Sequence, residues 1–232
     1  MITVFANSTL YTPMTDQNTT GGGQSCLDLL RKHHAPIDGL WANGLTVLHV
    51  LPKMNLFLKE RHRKHIVIIN LGVVEAFTHP APNVLHWCSH FLLENGCTPH
   101  FQTYTVPMMV NASHDLIHNK KAFYNLVESV DFAAMLFQIL WLLEGFSIFL
   151  IGLNKPNMTN SFVADRWKEQ AAQYDLIINK LRPSFNNISY FDIWNDLQEH
   201  VVDTTHLTPK GHQLFFKLIN DEIERTYVKY NY

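Results

Sequence analysis

The chain has 232 residues, 47% of them apolar, and a formal net charge of −2. That length suits one core in one domain. So small a charge excludes the basic footprint that nucleic acid or an anionic membrane surface demands of a partner.

From the N-terminus, residues 2–5 form a short β-branched apolar run, the mark of a strand buried on both faces. It closes on Asn7-Ser8. The opening has no cationic stretch and its apolar run breaks at Asn7, so no secretory leader is expected and the compartment is read as cytoplasmic. Cys26, Cys88 and Cys97 are odd in number and stand at no metal-ligand spacing, which agrees with reduced thiols.

Residues 11–23 read as an exposed loop rich in Thr, Asn and Gly. Its Gly21-Gly22-Gly23 lacks the Gly-Lys-Ser/Thr of a phosphate loop. Ser25 caps a predicted helix through Leu27 and Leu30. A second strand is predicted at 39–42, followed by the turn Asn43-Gly44-Leu45-Thr46 and a helix through Val47, Leu51 and Phe57, with Pro52 as a kink. The basic cluster 59–64 reads as a solvated helix end.

Residues 66–72 carry the strongest buried-strand pattern and run into Val73-Val74-Glu75. Residues 82–145 are mostly helical by pattern, with a helical insertion at 99–145. Its Phe101, Tyr104, Met108, Met109 and Phe123 suit core packing of a helical pair or a wall over the site. The apolar stretch 132–153 approaches the length of a membrane span, yet Gln138, Glu144 and Gly145 interrupt it. A buried helix followed by a buried strand at 147–152 is expected instead, with no membrane span. A long helix over 162–181 places Trp167, Ala171, Tyr174 and Ile178 on one stripe. A fifth strand at 188–193 precedes Asp203 and His206, and Thr208-Pro209 opens the last helix.

Five strands alternating with helices predict a single three-layer α/β/α domain over 1–232, doubly wound around a mainly parallel five-stranded sheet of flavodoxin type. Ligands of such sheets sit beyond the carboxyl ends of the strands. Ser8, Gly44, Gly72 to Glu75 and Asn154 all follow predicted strands or their turns. A serine hydroxyl needs a base in hydrogen-bond reach and a third group to orient that base. Ser8, His206 and Asp203 supply one of each.

The competing constellations are missing. No serine stands in Gly-x-Ser-x-Gly. Fourteen His include no His-Glu-x-x-His, and neither metal nor cofactor is expected. The first strand is not followed by Gly-x-Gly-x-x-Gly.

Over nearly the whole chain these residues resemble the SGNH (GDSL-type) hydrolases. Ala6-Asn7-Ser8-Thr9-Leu10 is similar to the family's Gly-Asp-Ser block, with both neighbours of the serine replaced. Asp203-Thr204-Thr205-His206 matches its Asp-x-x-His block. The resemblance implies an ester hydrolase, an acyl or acetyl esterase, working through an acyl-enzyme on Ser8. His206 is then the base and Asp203 its orienter. The substrate is a small-molecule or carbohydrate ester. An O-acyltransferase with the same triad, drawing on a donor such as acetyl-CoA, and a non-catalytic binding module remain open.

The resemblance also implies an oxyanion and substrate-binding set of Gly44, Val47, Gly72, Val74 and Glu75. Here the chain departs from the family. The usual second glycine of the second block falls on Val47, and Gly-x-Asn-Asp reads Gly72-Val73-Val74-Glu75, so Val74 stands where the family has a donor asparagine. Some bacterial members resemble this Gly-x-Val-acid variant. Glu75 is then a substrate contact or the cap of a loop end.

Overall fold

The computed structural model describes residues 1–11, 23–42, 44–59, 65–76, 78–79, 124–125, 127–154, 162–202 and 206–230. Five strands form the central sheet: β1 (Ile2–Ala6), β2 (Ile37–Trp41), β3 (Ile66–Asn70), β6 (Ser147–Ile151) and β7 (Ile188–Phe191). Their order is β2-β1-β3-β6-β7 and every pairing is parallel. A separate antiparallel pair joins β4 (Thr78–His79) to β5 (Tyr124–Asn125).

The three inner strands read as continuous apolar runs because helices cover both sheet faces. Alternate side chains serve two cores. Phe5, Val67, Ile69, Ile148 and Leu150 point to one core, packed under α3 (Val47–Val50), α6 (Ser129–Leu142) and α7 (Phe162–Leu181). Ile2, Val4, Ala6, Ile66, Ile68, Phe149 and Ile151 point to the other, under α2 (Cys26–His33) and α9 (Pro209–Tyr230).

Helix starts follow local chemistry. Ser25 Oγ accepts the Asp28 N–H at 3.0 Å while Asp28 Oδ2 accepts the Ser25 N–H at 3.1 Å, a reciprocal capping box on α2. Thr208 Oγ1 accepts the Gly211 N–H at 3.1 Å, so Thr208 caps α9 with Pro209 in the first helical position. Pro52 divides the predicted helix after β2 into α3, a 3₁₀ turn (Leu51–Lys53) and α4 (Met54–Lys59).

Two expectations are revised. Strand β2 begins at Ile37, two residues before the predicted start, because Asp38 and Gly39 have strand duties there. Thr3 Oγ1 donates to Asp38 Oδ1 at 2.6 Å across the register pair, and Gly39, at φ 136°, lies so close to Val4 that a methyl would overlap the Val4 carbonyl oxygen. The helix of the 132–153 stretch is buried on one side only. Phe132, Leu136, Ile139 and Leu140 are inside, whereas Trp141 is 59% exposed. No helix among the described residues is long and apolar enough to cross a membrane. Most of the predicted insertion, including Phe101, Tyr104, Met108, Met109 and Phe123, lies outside the described residues.

Candidate active site at the carboxyl end of the sheet

Strand order reverses direction between β1 and β3, and the crevice at such a reversal is where open α/β sheets hold ligands. β1 delivers Asn7 and Ser8 to this point. The Asn7 N–H donates to Asn70 O at 3.2 Å, which fastens the two strand ends together. Asn7 Oδ1 then accepts the Thr9 N–H at 3.0 Å and turns the chain into α1 (Ser8–Tyr11). Ser8 is therefore the first residue of a short helix rather than part of an open turn.

From β2, the Ala42 N–H bonds to Ala6 O at 3.2 Å, and Leu45 N–H bonds back to Ala42 O at 3.1 Å. Between them Gly44 takes φ 79°, a left-handed conformation that suits glycine. Thr46 follows, its N–H donating to His49 Nδ1 at 3.1 Å, and Val47 begins α3.

From β3 comes Gly72 at φ 108°, packed so tightly that a methyl on it would stand 3.0 Å from both Leu153 Cδ1 and Phe132 Cζ. The short helix α5 (Val73–Ala76) carries half-buried Val74 and fully buried Glu75. Glu75 Oε1 accepts the Val47 N–H at 2.7 Å and Oε2 accepts the Gly72 N–H at 2.9 Å. One carboxylate thus clamps the turn after β2 to the turn after β3, passing over the end of β1. Burial pushes its pKa up to about 7, against the pull of the N–H groups of Val47, Glu75 and Gly72.

The last predicted member arrives from β7. Between α8 (Ile193–Asp196) and α9, the Val202 N–H donates to His206 O at 2.9 Å, and Val201 pairs with Leu207 in an antiparallel bridge. These two links close the chain ends on either side of 203–205. His206 is half-buried; Asp203 lies outside the described residues, as does the side chain of Ser8.

This neck packs on the α1 side of the sheet. Leu10 of α1, Val201 and Leu207 belong to one apolar core, and the Cys26 N–H at the start of α2 donates to buried His212 Nδ1 of α9 at 3.1 Å. α1, α2 and the His206 segment are thereby held to one another.

Among the predicted residues, Gly44, Val47, Gly72, Val74 and Glu75 gather at one end of the sheet with the Ser8 backbone. Two buried residues there escaped the sequence reading. Asn7 is 0% exposed and Asn70 1%, and Asn7 Nδ2 and Asn70 Oδ1 have no hydrogen-bond partner among the described residues. The signal in the sequence was slight: a polar residue ending the apolar run 66–69, and an Asn ahead of Ser8. No cluster of three or more His, Cys, Asp or Glu among the described residues is placed to hold a metal ion.

No protein-family model and no curated protein matches the sequence. Solved structures do match the fold. A lipase/acylhydrolase from Enterococcus faecalis superposes with a TM-score of 0.58 at 14% identity, over 96% of this chain and 94% of that one. The native aryl esterase of M. smegmatis gives 0.58 at 11% identity, over 97% and 98%. A member of the lipolytic G-D-S-L family from Veillonella parvula gives 0.51 at 8% identity, over 93% of both.

This is the SGNH hydrolase fold. A catalytic mutant of an acetylxylan esterase from Geobacillus stearothermophilus shares it, with a TM-score of 0.54 at 12% identity over 96% and 93%. Ser8 follows the first strand, and His206 precedes the last helix.

Proposed function

We propose that the chain is a serine-dependent ester hydrolase with Ser8 as nucleophile, His206 as general base and Asp203 as the group that orients the imidazole. The observation that carries this reading is the meeting of the Ser8, Gly44 and Gly72 turns at the β1/β3 reversal, with the His206 segment packed beside α1. Ser8 Oγ attacks the ester carbonyl as His206 takes its proton. His206 returns that proton to the departing alcohol, and water, deprotonated by His206, releases the acid from the acyl-enzyme.

We assign the oxyanion to the backbone N–H groups of Ser8 and Gly44. The N–H groups of Val47 and Gly72 are engaged by Glu75, and the side chain of Val74 has no donor to offer. Buried Asn7 Nδ2, beside Ser8 in the chain, is a further donor at this end of the sheet. Loss of one oxyanion donor costs about 2.7–4 kcal/mol, or about 10²–10³ in turnover, so the enzyme is expected to be slower than an SGNH hydrolase with the full set. Glu75 shapes the hole without touching the substrate, and Val74 forms an apolar wall.

Acetylxylan esterases among the structural neighbours direct the substrate proposal to short acyl esters, with acetyl on a carbohydrate first. The test is hydrolysis of a short-chain aryl acetate by the protein beside Ser8→Ala, with an added sugar acceptor. Turnover that needs Ser8 is expected. Acetyl recovered on the sugar in place of acetate would make the protein an O-acyltransferase, and no turnover by the folded wild type would favour a binding module.

A further inference from the structure

Helix α6 is apolar on nearly its whole circumference, and a helix of that composition is ordinarily buried all round. Among the described residues it is covered on one side only. On the other side Val130 is 77% exposed, Phe137 43% and Trp141 59%, with exposed Ala134 between them. The spacing 130, 134, 137, 141 is the four-three-four step of a seam packed by a second helix. Leu56 on α4, 65% exposed, and Leu176 on α7, 51% exposed, are further exposed apolar side chains on the helices that share the core under α6. Scattered apolar residues on a surface are ordinary, but a continuous apolar stripe marks an interaction site.

We infer that this face is the contact of a two-fold homodimer in which α6 packs antiparallel on α6 of a second copy. The stripe is complementary to itself in that orientation. Antiparallel pairing about its midpoint sets Val130 of one copy against Trp141 of the other, and Ala134 against Phe137. Each pair joins a small side chain to a large one, along about 17 Å of helix. Parallel pairing would set large on large and small on small.

Charge agrees with this direction. α6 begins at the carboxyl end of the sheet, where Glu128 and Asp131 are exposed. α4 and α7 end at the opposite edge, each leading into a strand, and bring exposed Lys59 and Lys180 there, with exposed Arg182 just beyond α7; Glu144 is an exposed acid among the described residues at that end. Lys180 stands one turn beyond Leu176, on the stripe of α7 whose Gln173 Nε2 donates to Ser129 Oγ of α6 at 3.1 Å. An antiparallel contact brings the acidic end of one copy to the basic end of the other. The two helix dipoles also oppose, which favours this arrangement.

Sedimentation velocity over about 1–100 µM, the range of a contact at the small end of stable interfaces, tests this. A reversible monomer–dimer equilibrium is expected. Ala134→Glu, at an exposed helical position, should weaken it at least tenfold with unchanged circular dichroism, and Trp141→Ser should do the same. Asp131→Lys and Lys180→Glu should each weaken the dimer, and the two together should restore it. A folded wild type that stays monomeric throughout overturns the inference. So does a dimer indifferent to Ala134→Glu, or a monomer that uses this face to bind neutral lipid vesicles.

Discussion

Glu75 offers a quantitative handle on the clamp between the β2 and β3 turns. Its carboxyl is fully buried, its pKa is raised from 4.5 to about 7, and no other charged group contributes to the shift. The folded state therefore holds this proton more tightly than the unfolded chain. The stabilising contribution is complete below pH 4.5 and is lost as pH rises through about 7. A shift of that size corresponds to about 3 kcal/mol. Glu75→Gln removes the titration while keeping the shape and one acceptor. Protonated Glu75 can still accept from both N–H groups, through its carbonyl and hydroxyl oxygens, whereas the glutamine accepts from only one, so the variant should be less stable by about 1–3 kcal/mol near pH 4.5. By pH 8 the advantage of the wild type over the variant should have fallen by about 3 kcal/mol, to the extent that the burial cost is not relieved by local opening. Urea unfolding of both proteins across this range measures the difference. A gap that is flat, or that widens in favour of the wild type with rising pH, would refute the reasoning. Glu75→Ala is a harsher change. It leaves the buried N–H groups of Val47 and Gly72 without a partner, at roughly 1–3 kcal/mol each, and should also slow turnover by loosening the Gly44 turn.

Gly39→Ala should cost about 3 kcal/mol or more, or prevent folding, because the residue sits at φ 136° with the Val4 carbonyl against it. A drop of under about 1 kcal/mol in denaturant unfolding would mean that β1 and β2 are not so closely apposed. Cys26 is fully buried and burial pushes its thiol pKa up, so iodoacetamide should reach it only after unfolding, as followed on its tryptic peptide. Rapid labelling in the native protein would contradict the packing of α2 on α9.

Much of the fold was legible because the inner strands are buried on both faces and so appear as unbroken β-branched runs. Ile66-Val67-Ile68-Ile69 could hardly be anything else. Edge strand β2 was displaced in the reading since half-buried Asp38 and exposed Gly39 look like turn residues until Thr3 and Val4 are seen beside them. The exposed side of α6 could not be read at all, because a helix apolar on all sides has no periodicity to tell inside from outside. At the site, Ser8 and the Gly44 and Gly72 turns followed from strand ends alone. The role of Glu75 did not, since nothing local to 72–76 shows that Val47 lies within reach of its carboxylate. His212 likewise looked like one more residue of an amphipathic helix, and only the packing of α2 on α9 reveals its bond to the Cys26 N–H.

The most direct test of the proposed triad is reaction of the native protein with a fluorophosphonate, followed by intact mass and peptide mapping. One adduct, on the Ser8 peptide, is predicted, and it should fail to form in Ser8→Ala and form far more slowly in His206→Ala. No adduct on the folded protein, or an adduct on another serine, would contradict a nucleophile at Ser8.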